Sequence, residues 1–218
     1  MARTLVLDLD GTLVDSVPDI AAALNRVLAA RGLAPFSPAA TAPMVGDGAR
    51  TLLERAYAAR GAAPPDDADV AGYLADYADN LVGASVLYPG VEATLRGMAD
   101  AGWRFAVCTN KPETHARALL AALGIDGLFA AIGGGDSFPV RKPDPAHLLA
   151  TLRAAGGETG HAAMVGDHRN DLLAAGGAGL PCIFAAWGYG SVTTGEEAAA
   201  VAARFTDLPP LANRLVPL

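Results

Sequence analysis

Thr4-Leu5-Val6-Leu7-Asp8-Leu9-Asp10-Gly11-Thr12 is the stretch on which the fold of this chain turns. Thr4 to Leu9 reads as a buried strand, and Gly11-Thr12 as the turn that ends it. The residues after this turn break the rhythm that a first strand usually sets. From Ser16 to Val82 only helical patterns occur. Ser16 is placed to cap a helix with Pro18 in its first turn, and Ile20, Leu24, Val27 and Leu28 form one apolar stripe before Gly32. A second helix runs from about Ala49, with Leu52, Leu53, Ala56 and Tyr57 on one face, and stops at Gly61. Pro64-Pro65-Asp66 opens a third, with Val70, Leu74, Tyr77 and Leu81 as its stripe.

After Pro89 strands and helices alternate. Strands are expected at 104–108, near 129–132, at 162–165 and at 182–185, with helices at 91–101, 113–123, 145–155 and 171–178. Repeated strand–helix units imply a parallel sheet covered on both faces. The expected fold is therefore a doubly wound parallel α/β core made of residues 1–14 and 84–218, with an inserted helical cap at 15–83. A helical insertion directly after the first strand is well placed to cover what that strand presents, because ligands of open parallel sheets bind at the strands' carboxyl ends.

The composition narrows the partners. Hydrophobic residues make up 52% of the 218 residues and the net charge is -7, so a sizeable core forms and no excess of cations exists to neutralise a nucleic-acid backbone. No apolar run is long enough to span a bilayer and no basic leader precedes the first strand, so a cytoplasmic protein, monomer or homodimer, is expected. Cys108 and Cys182 sit in apolar strand-like runs and read as buried thiols. His115, His147 and His161 lie on or beside helices without a partnering Cys or His and read as structural.

Four polar clusters fall just after expected strands, and so on one edge of the sheet: Asp8 to Thr12, Thr109-Asn110, Arg141-Lys142-Pro143, and Gly166 to Asp171. Two carboxylates brought together need a cation or a shared proton. The pair Asp8 and Asp10 suits a metal-bound nucleophile beside an acid/base, although an Asp-x-Asp by itself equally fits an acidic turn. Asp167 and Asp171 add hard oxygen donors of the kind Mg²⁺ prefers, and either also suits a helix cap. Thr109, Asn110 and Lys142 offer a hydroxyl, an amide and a point charge for phosphate oxygens. Trp187-Gly188-Tyr189-Gly190 follows the last strong strand, where it can border the site or simply form a turn.

Asp8 through Ser16 resembles the first motif of the haloacid dehalogenase superfamily, Thr109-Asn110 its second, Lys142 with Pro143-Asp144-Pro145 its third, and Gly166-Asp167 through Asp171 its fourth. The resemblance implies that Asp8 becomes an aspartyl-phosphate and that Asp10 protonates the leaving alkoxide and then deprotonates water. It implies that Thr109 and Lys142 bind the phosphoryl group. It also implies that Asp8, the Asp10 carbonyl and Asp167 hold Mg²⁺, with Asp171 assisting. The second aspartate favours phosphoryl transfer over carbon–halogen cleavage.

Val17-Pro18-Asp19-Ile20, Val45-Gly46-Asp47-Gly48-Ala49 and Leu87-Tyr88-Pro89-Gly90-Val91 are similar to the branch of that superfamily that hydrolyses 2-phosphoglycolate. By that likeness Gly46 lies in a cap loop over the substrate, and Arg50 is a candidate for a substrate carboxylate. His168 departs from the serine often found at its place in the fourth motif. A sugar-phosphate phosphatase, a β-phosphoglucomutase-like phosphomutase and a phosphate-sensing module without turnover are the competing expectations.

Overall fold

The computed structural model describes residues 2–190 and 197–217. Strand β1 (Arg3–Leu7) is buried along its whole length. Its side chains alternate between two apolar layers, Leu5 and Leu7 in one and Val6 in the other, which is why it reads as an unbroken apolar run. The expected strand reached Leu9, but pairing ends earlier: the Leu9 carbonyl accepts hydrogen bonds from the amides of Thr12, Leu13 and Val14 and so heads a tight turn. Gly11 sits in that turn at φ +84°, with its α-carbon so close to Asp167 that a β-carbon would lie 2.3 Å from Oδ2.

The chain leaves the turn through β2 (Val14–Asp15) and enters the helices α1 (Val17–Ala30), α2 (Pro38–Thr41), α3 (Ala49–Ala59) and α4 (Asp67–Asp79). It returns through β3 (Val86–Leu87), which pairs antiparallel with β2. The helices between these two strands share an apolar cluster of their own, including Leu24, Leu28, Leu53, Tyr57, Tyr73 and Tyr77. Asp66 opens α4 as expected, in a capping box with Asp69. Ser16 stands at the N-cap of α1 but its side chain does not cap it, because the hydroxyl is used elsewhere.

Strands and helices then alternate: α5 (Val91–Asp100), β4 (Trp103–Cys108), α6 (Glu113–Ala122), β5 (Phe129–Gly133), α7 (Pro145–Ala154), β6 (Ala162–Gly166), α8 (Arg169–Ala178), β7 (Cys182–Ala185), β8 (Ala200–Ala202) and α9 (Leu208–Leu215). The main sheet has six strands in the order β5-β4-β1-β6-β7-β8, with every neighbouring pair parallel. Residues of α5, α6 and α9 cover one face and residues of α7 and α8 the other. The doubly wound core is as expected. Strand order reverses at β1, which puts the residues just after it at the topological switch point where such sheets bind ligands. Both cysteines are free and buried, and burial pushes the Cys108 thiol up to about 12. Among the described residues, no helix is long and apolar enough to cross a membrane.

Candidate active site

The four clusters meet at the carboxyl edge of β1, β4 and β6. Asp8 directly follows β1, and its amide still donates to the Val165 carbonyl of β6 at 2.9 Å. Lys142, 2% exposed, reaches across from the loop before α7. Its Nζ lies 2.6 Å from Asp171 Oδ1, to which it donates, and 2.8 Å from Asp8 Oδ1. The second contact is an ion pair without hydrogen-bond geometry, so Asp8 Oδ1 is a buried oxygen that accepts no hydrogen bond. His147 steadies this loop. Its Nδ1 accepts from the Lys142 amide at 3.2 Å, which leaves Nε2 as the donor to the Gly134 carbonyl at 3.0 Å. Burial, with Lys142 adding to it, pushes His147 down to about 4, so the ring is neutral and structural, as expected.

Asp167 and Asp171 frame the start of α8. Asp167 Oδ1 accepts from the Thr12 hydroxyl at 2.9 Å and Oδ2 from the Tyr189 amide at 2.8 Å. Asp171 Oδ2 accepts from the His168 amide at 3.0 Å, closing a capping box in which His168 Nδ1 accepts from the Asn170 amide at 3.3 Å. Trp187 Nε1 donates to the Thr12 carbonyl at 3.0 Å, so the segment after β7 does border the site.

Ligand atoms of Asp8, Asp167 and Asp171 lie within 4.8 Å of one another, and all three residues are buried. Burial pushes Asp8 up to about 6, Lys142 opposing it and Asp171 adding to it. Burial, Asp8 and Asp171 push Asp167 up to about 7. Carboxylates packed this closely in a dry site favour a proton or a cation between them. An oxygen-only donor set of three buried carboxylates, with one lysine ammonium between two of them, fits a hard divalent cation.

Asp10 is held apart from this cluster. Its Oδ1 accepts from the Ser16 hydroxyl at 2.6 Å, which is where the expected helix cap goes. Both its oxygens accept from Lys111 Nζ, at 2.8 and 2.9 Å. The Lys111 ammonium also lies 4.6 Å from the centre of the Tyr77 ring, a cation–π contact. Burial works against this charge, yet Asp10 holds the ammonium well above its ordinary value. The sequence patterns do not single out Lys111, although its place directly after Thr109-Asn110 puts it on the same sheet edge.

Thr109, Asn110 and Lys111 line a cavity of about 50 Å³ together with Asp8, Asp10 and residues of the inserted helices. Thr109 Oγ1 accepts from the Lys111 amide at 3.2 Å. The Asn110 side chain donates to the carbonyls of Gly46 at 2.9 Å and Lys142 at 3.0 Å, so its amide group ties the loop after α2 to the core. Asn170 Nδ2 adds a bond to Asp47 Oδ1 at 2.6 Å. Gly46 runs at φ +119° against the His168 ring, where a β-carbon would lie 2.7 Å from the nearest ring atom. Arg50 is placed differently from the expectation: it is paired with Asp67 in α4 and does not line the cavity. Ala49 and Leu52 of α3 face the cavity, and Arg50, one residue past Ala49, is turned away from it toward α4. His115, expected to be structural, lines the cavity with Nε2 against the Leu74 carbonyl and Nδ1 without a partner.

A family model for haloacid dehalogenase-like hydrolases matches residues 2–179. The chain is 42% identical over 217 residues to a phosphoglycolate phosphatase of Mesorhizobium japonicum, covering 97% of this chain and 96% of that one. It is 48% identical over 197 residues to the phosphoglycolate phosphatase of Rhodospirillum rubrum, covering 87% and 81% of the two chains. The crystal structure of a predicted phosphoglycolate phosphatase from Haemophilus somnus has the same fold, with TM-score 0.87, 30% identity and coverage of 96% and 97%. The chain belongs to the haloacid dehalogenase-like hydrolases. It is an enzyme of the phosphoric monoester hydrolase class, similar to the phosphoglycolate phosphatases.

Proposed function

We propose that this chain is a Mg²⁺-dependent phosphomonoesterase that hydrolyses a small phosphorylated metabolite, 2-phosphoglycolate, through an aspartyl-phosphate at Asp8. The observation that carries the reading is Lys142 Nζ lying between Asp8 and Asp171 at the sheet's switch point, with Asp10 held separately by Ser16 and Lys111. One carboxylate is thus set beside a cation that neutralises an incoming phosphoryl group, and the other is set apart for proton transfer.

In the first step an Asp8 oxygen attacks phosphorus while Lys142 offsets charge on the non-bridging oxygens. Asp10 protonates the leaving alkoxide, oriented by the Ser16 hydroxyl. In the second step Asp10 takes a proton from water, which attacks phosphorus and frees Asp8. Mg²⁺ held by Asp8 and Asp167, with the Asp10 carbonyl and Asp171 in support, would supply Lewis-acid neutralisation of the phosphoryl oxygens. Residues 15–83 serve as a cap on a core of residues 1–14 and 84–218. Its loop at Val45–Gly48 covers the cavity and keeps bulk water from the first step.

The test is a phosphate-release screen over small phosphomonoesters, with and without Mg²⁺. The expected result is Mg²⁺-dependent turnover with 2-phosphoglycolate ahead of sugar phosphates. Turnover of sugar phosphates with none of 2-phosphoglycolate overturns the substrate. Sugar-phosphate isomerisation in place of phosphate release overturns hydrolysis.

A further inference from the structure

The cavity above Asp8 carries a fixed positive charge that holds Asp10 but makes and breaks no bond in the hydrolytic steps. Among the described residues that line it, Lys111 is the single Lys or Arg, and the ammonium is almost wholly withdrawn from bulk solvent, its side chain 6% exposed. Beside it the Tyr77 residue is 2% exposed, and its buried hydroxyl has no hydrogen-bond partner. A buried hydroxyl without a partner is uncommon, and because Tyr77 lines the cavity beside Lys111 this one is available to a group that enters it. Most of the other walls are apolar: Ile20, Val45, Ala49, Leu52 and Leu74. Phosphate binding does not account for these donors, because Lys142 already stands at Asp8.

The geometry points to Lys111 and Tyr77 as the pair that recognises a carboxylate on the substrate, a specificity site beside the reacting centre. This inference rests on the phosphomonoesterase reading and names what selects its substrate. Lys111 Nζ is within hydrogen-bond distance of Asp10, the group that protonates the leaving oxygen. In a 2-phospho-acid a single carbon separates the ester oxygen from the carboxylate. A cation that touches Asp10 is therefore within reach of that carboxylate. The ammonium has three donors, and Asp10 supplies acceptors for two of them. His115 also lines the cavity, but its Nε2 is taken by the Leu74 carbonyl, which leaves Lys111 and Tyr77 as the donors.

The experiment compares kcat/KM for 2-phosphoglycolate and for 2-hydroxyethyl phosphate, in which a neutral hydroxymethyl replaces the carboxylate. It uses the wild type, Lys111→Gln, Lys111→Arg and Tyr77→Phe. The wild type is expected to prefer 2-phosphoglycolate. Lys111→Gln disturbs Asp10 as well and so lowers turnover of both esters, but it is expected to lower the preference for 2-phosphoglycolate over the neutral ester by about 20-fold or more. Lys111→Arg is expected to recover part of the loss. Tyr77→Phe, which keeps the ring against the Lys111 ammonium, is expected to lose about 10-fold on 2-phosphoglycolate alone. Equal losses of the Lys111 variants on both esters would mean that Lys111 serves Asp10 and not the substrate, and would overturn the inference. An unchanged preference in Lys111→Gln and Tyr77→Phe would overturn it too. A wild type that hydrolyses phosphomonoesters with no preference for the carboxylate overturns the substrate assignment together with this site. No phosphatase activity at all removes the reading beneath both.

Discussion

Asp8 and Asp10 are neighbours in sequence with opposite surroundings. Asp8 lies against Lys142 and two further carboxylates, while Asp10 has Ser16 and Lys111 to itself. Lys142 is the residue on which the first environment depends, because it is the cation that separates Asp8 from Asp171. Replacing it by Met leaves the buried carboxylates facing one another. The expected cost is about 3–5 kcal/mol in metal-free buffer, read from denaturant midpoints, together with a fall in kcat of about 100-fold or more. Asp8, Asp10, Asp167 and Lys142 are legible in the sequence because each directly follows an apolar run that reads as a strand or lies in a polar cluster at a strand's end. Lys111, Tyr77 and His115 are not. Their assembly depends on helix α4 lying over the sheet edge, and no local pattern encodes that packing. The pairing of Arg50 is not legible either, since only the packed helices bring Asp67 to it.

At the scale of elements, the two chain crossings between core and inserted helices are tied together by one side chain. Asp19, in the first turn of α1, accepts from the amides of Gly83 at 3.1 Å, Ala84 at 2.9 Å and Ser85 at 2.7 Å, and from the Ser85 hydroxyl at 2.6 Å. Burial opposes the charge, but these bonds from Ser85, Ala84 and Gly83 prevail and hold Asp19 below its ordinary value. Its contribution is therefore full above the unfolded carboxylate range and is lost as pH falls through the depressed folded value. Asp19→Ala strands several donors and is expected to cost about 2–3 kcal/mol at pH 7. Thermal melts should show the gap between variant and wild type closing in strong acid; a gap independent of pH would count against the charge. The long helices of this insertion are legible from their 3.6-residue stripes, and the capping box of α4 from Asp66. Strands β2 and β3 are not, because two residues carry no period. Helix α2 and the terminal β8 and α9 are too short, or too rich in proline at the start, to stand out.

Over the whole molecule, the strand order β5-β4-β1-β6-β7-β8 brings residues from opposite ends of the chain to one crevice, with Asp8 beside Lys142 and Asp167 bound by Tyr189. The alternation after Pro89 is enough to read the parallel core, and the four polar clusters are enough to read its active edge. Such a concentration of buried carboxylate has a pH signature. With Asp8 raised to about 6 and Asp167 to about 7, their protonated forms favour the metal-free fold. That contribution is full below the unfolded carboxylate value near about 4 and is lost as pH rises through 6 and 7. Melts in chelator are thus expected to show lower stability at pH 8 than at pH 5. Mg²⁺ is expected to restore more at pH 8, about 2.7 kcal/mol at a hundred times its Kd. Equal Mg²⁺ stabilisation at both pH values would contradict a metal held by this cluster.

The central claim is that Asp8 carries the phosphoryl group and Asp10 moves the proton. It is tested most directly in the Asp10→Asn variant with p-nitrophenyl phosphate. That leaving group departs without a proton, so the first step proceeds, while the second stalls for want of a base. Borohydride quenching converts an aspartyl-phosphate to homoserine, which peptide mass spectrometry locates. The account predicts homoserine at position 8, absent when the substrate is omitted. Phosphoryl transfer to another residue, or steady turnover by Asp10→Asn at the wild-type rate with no trapped group, would contradict it.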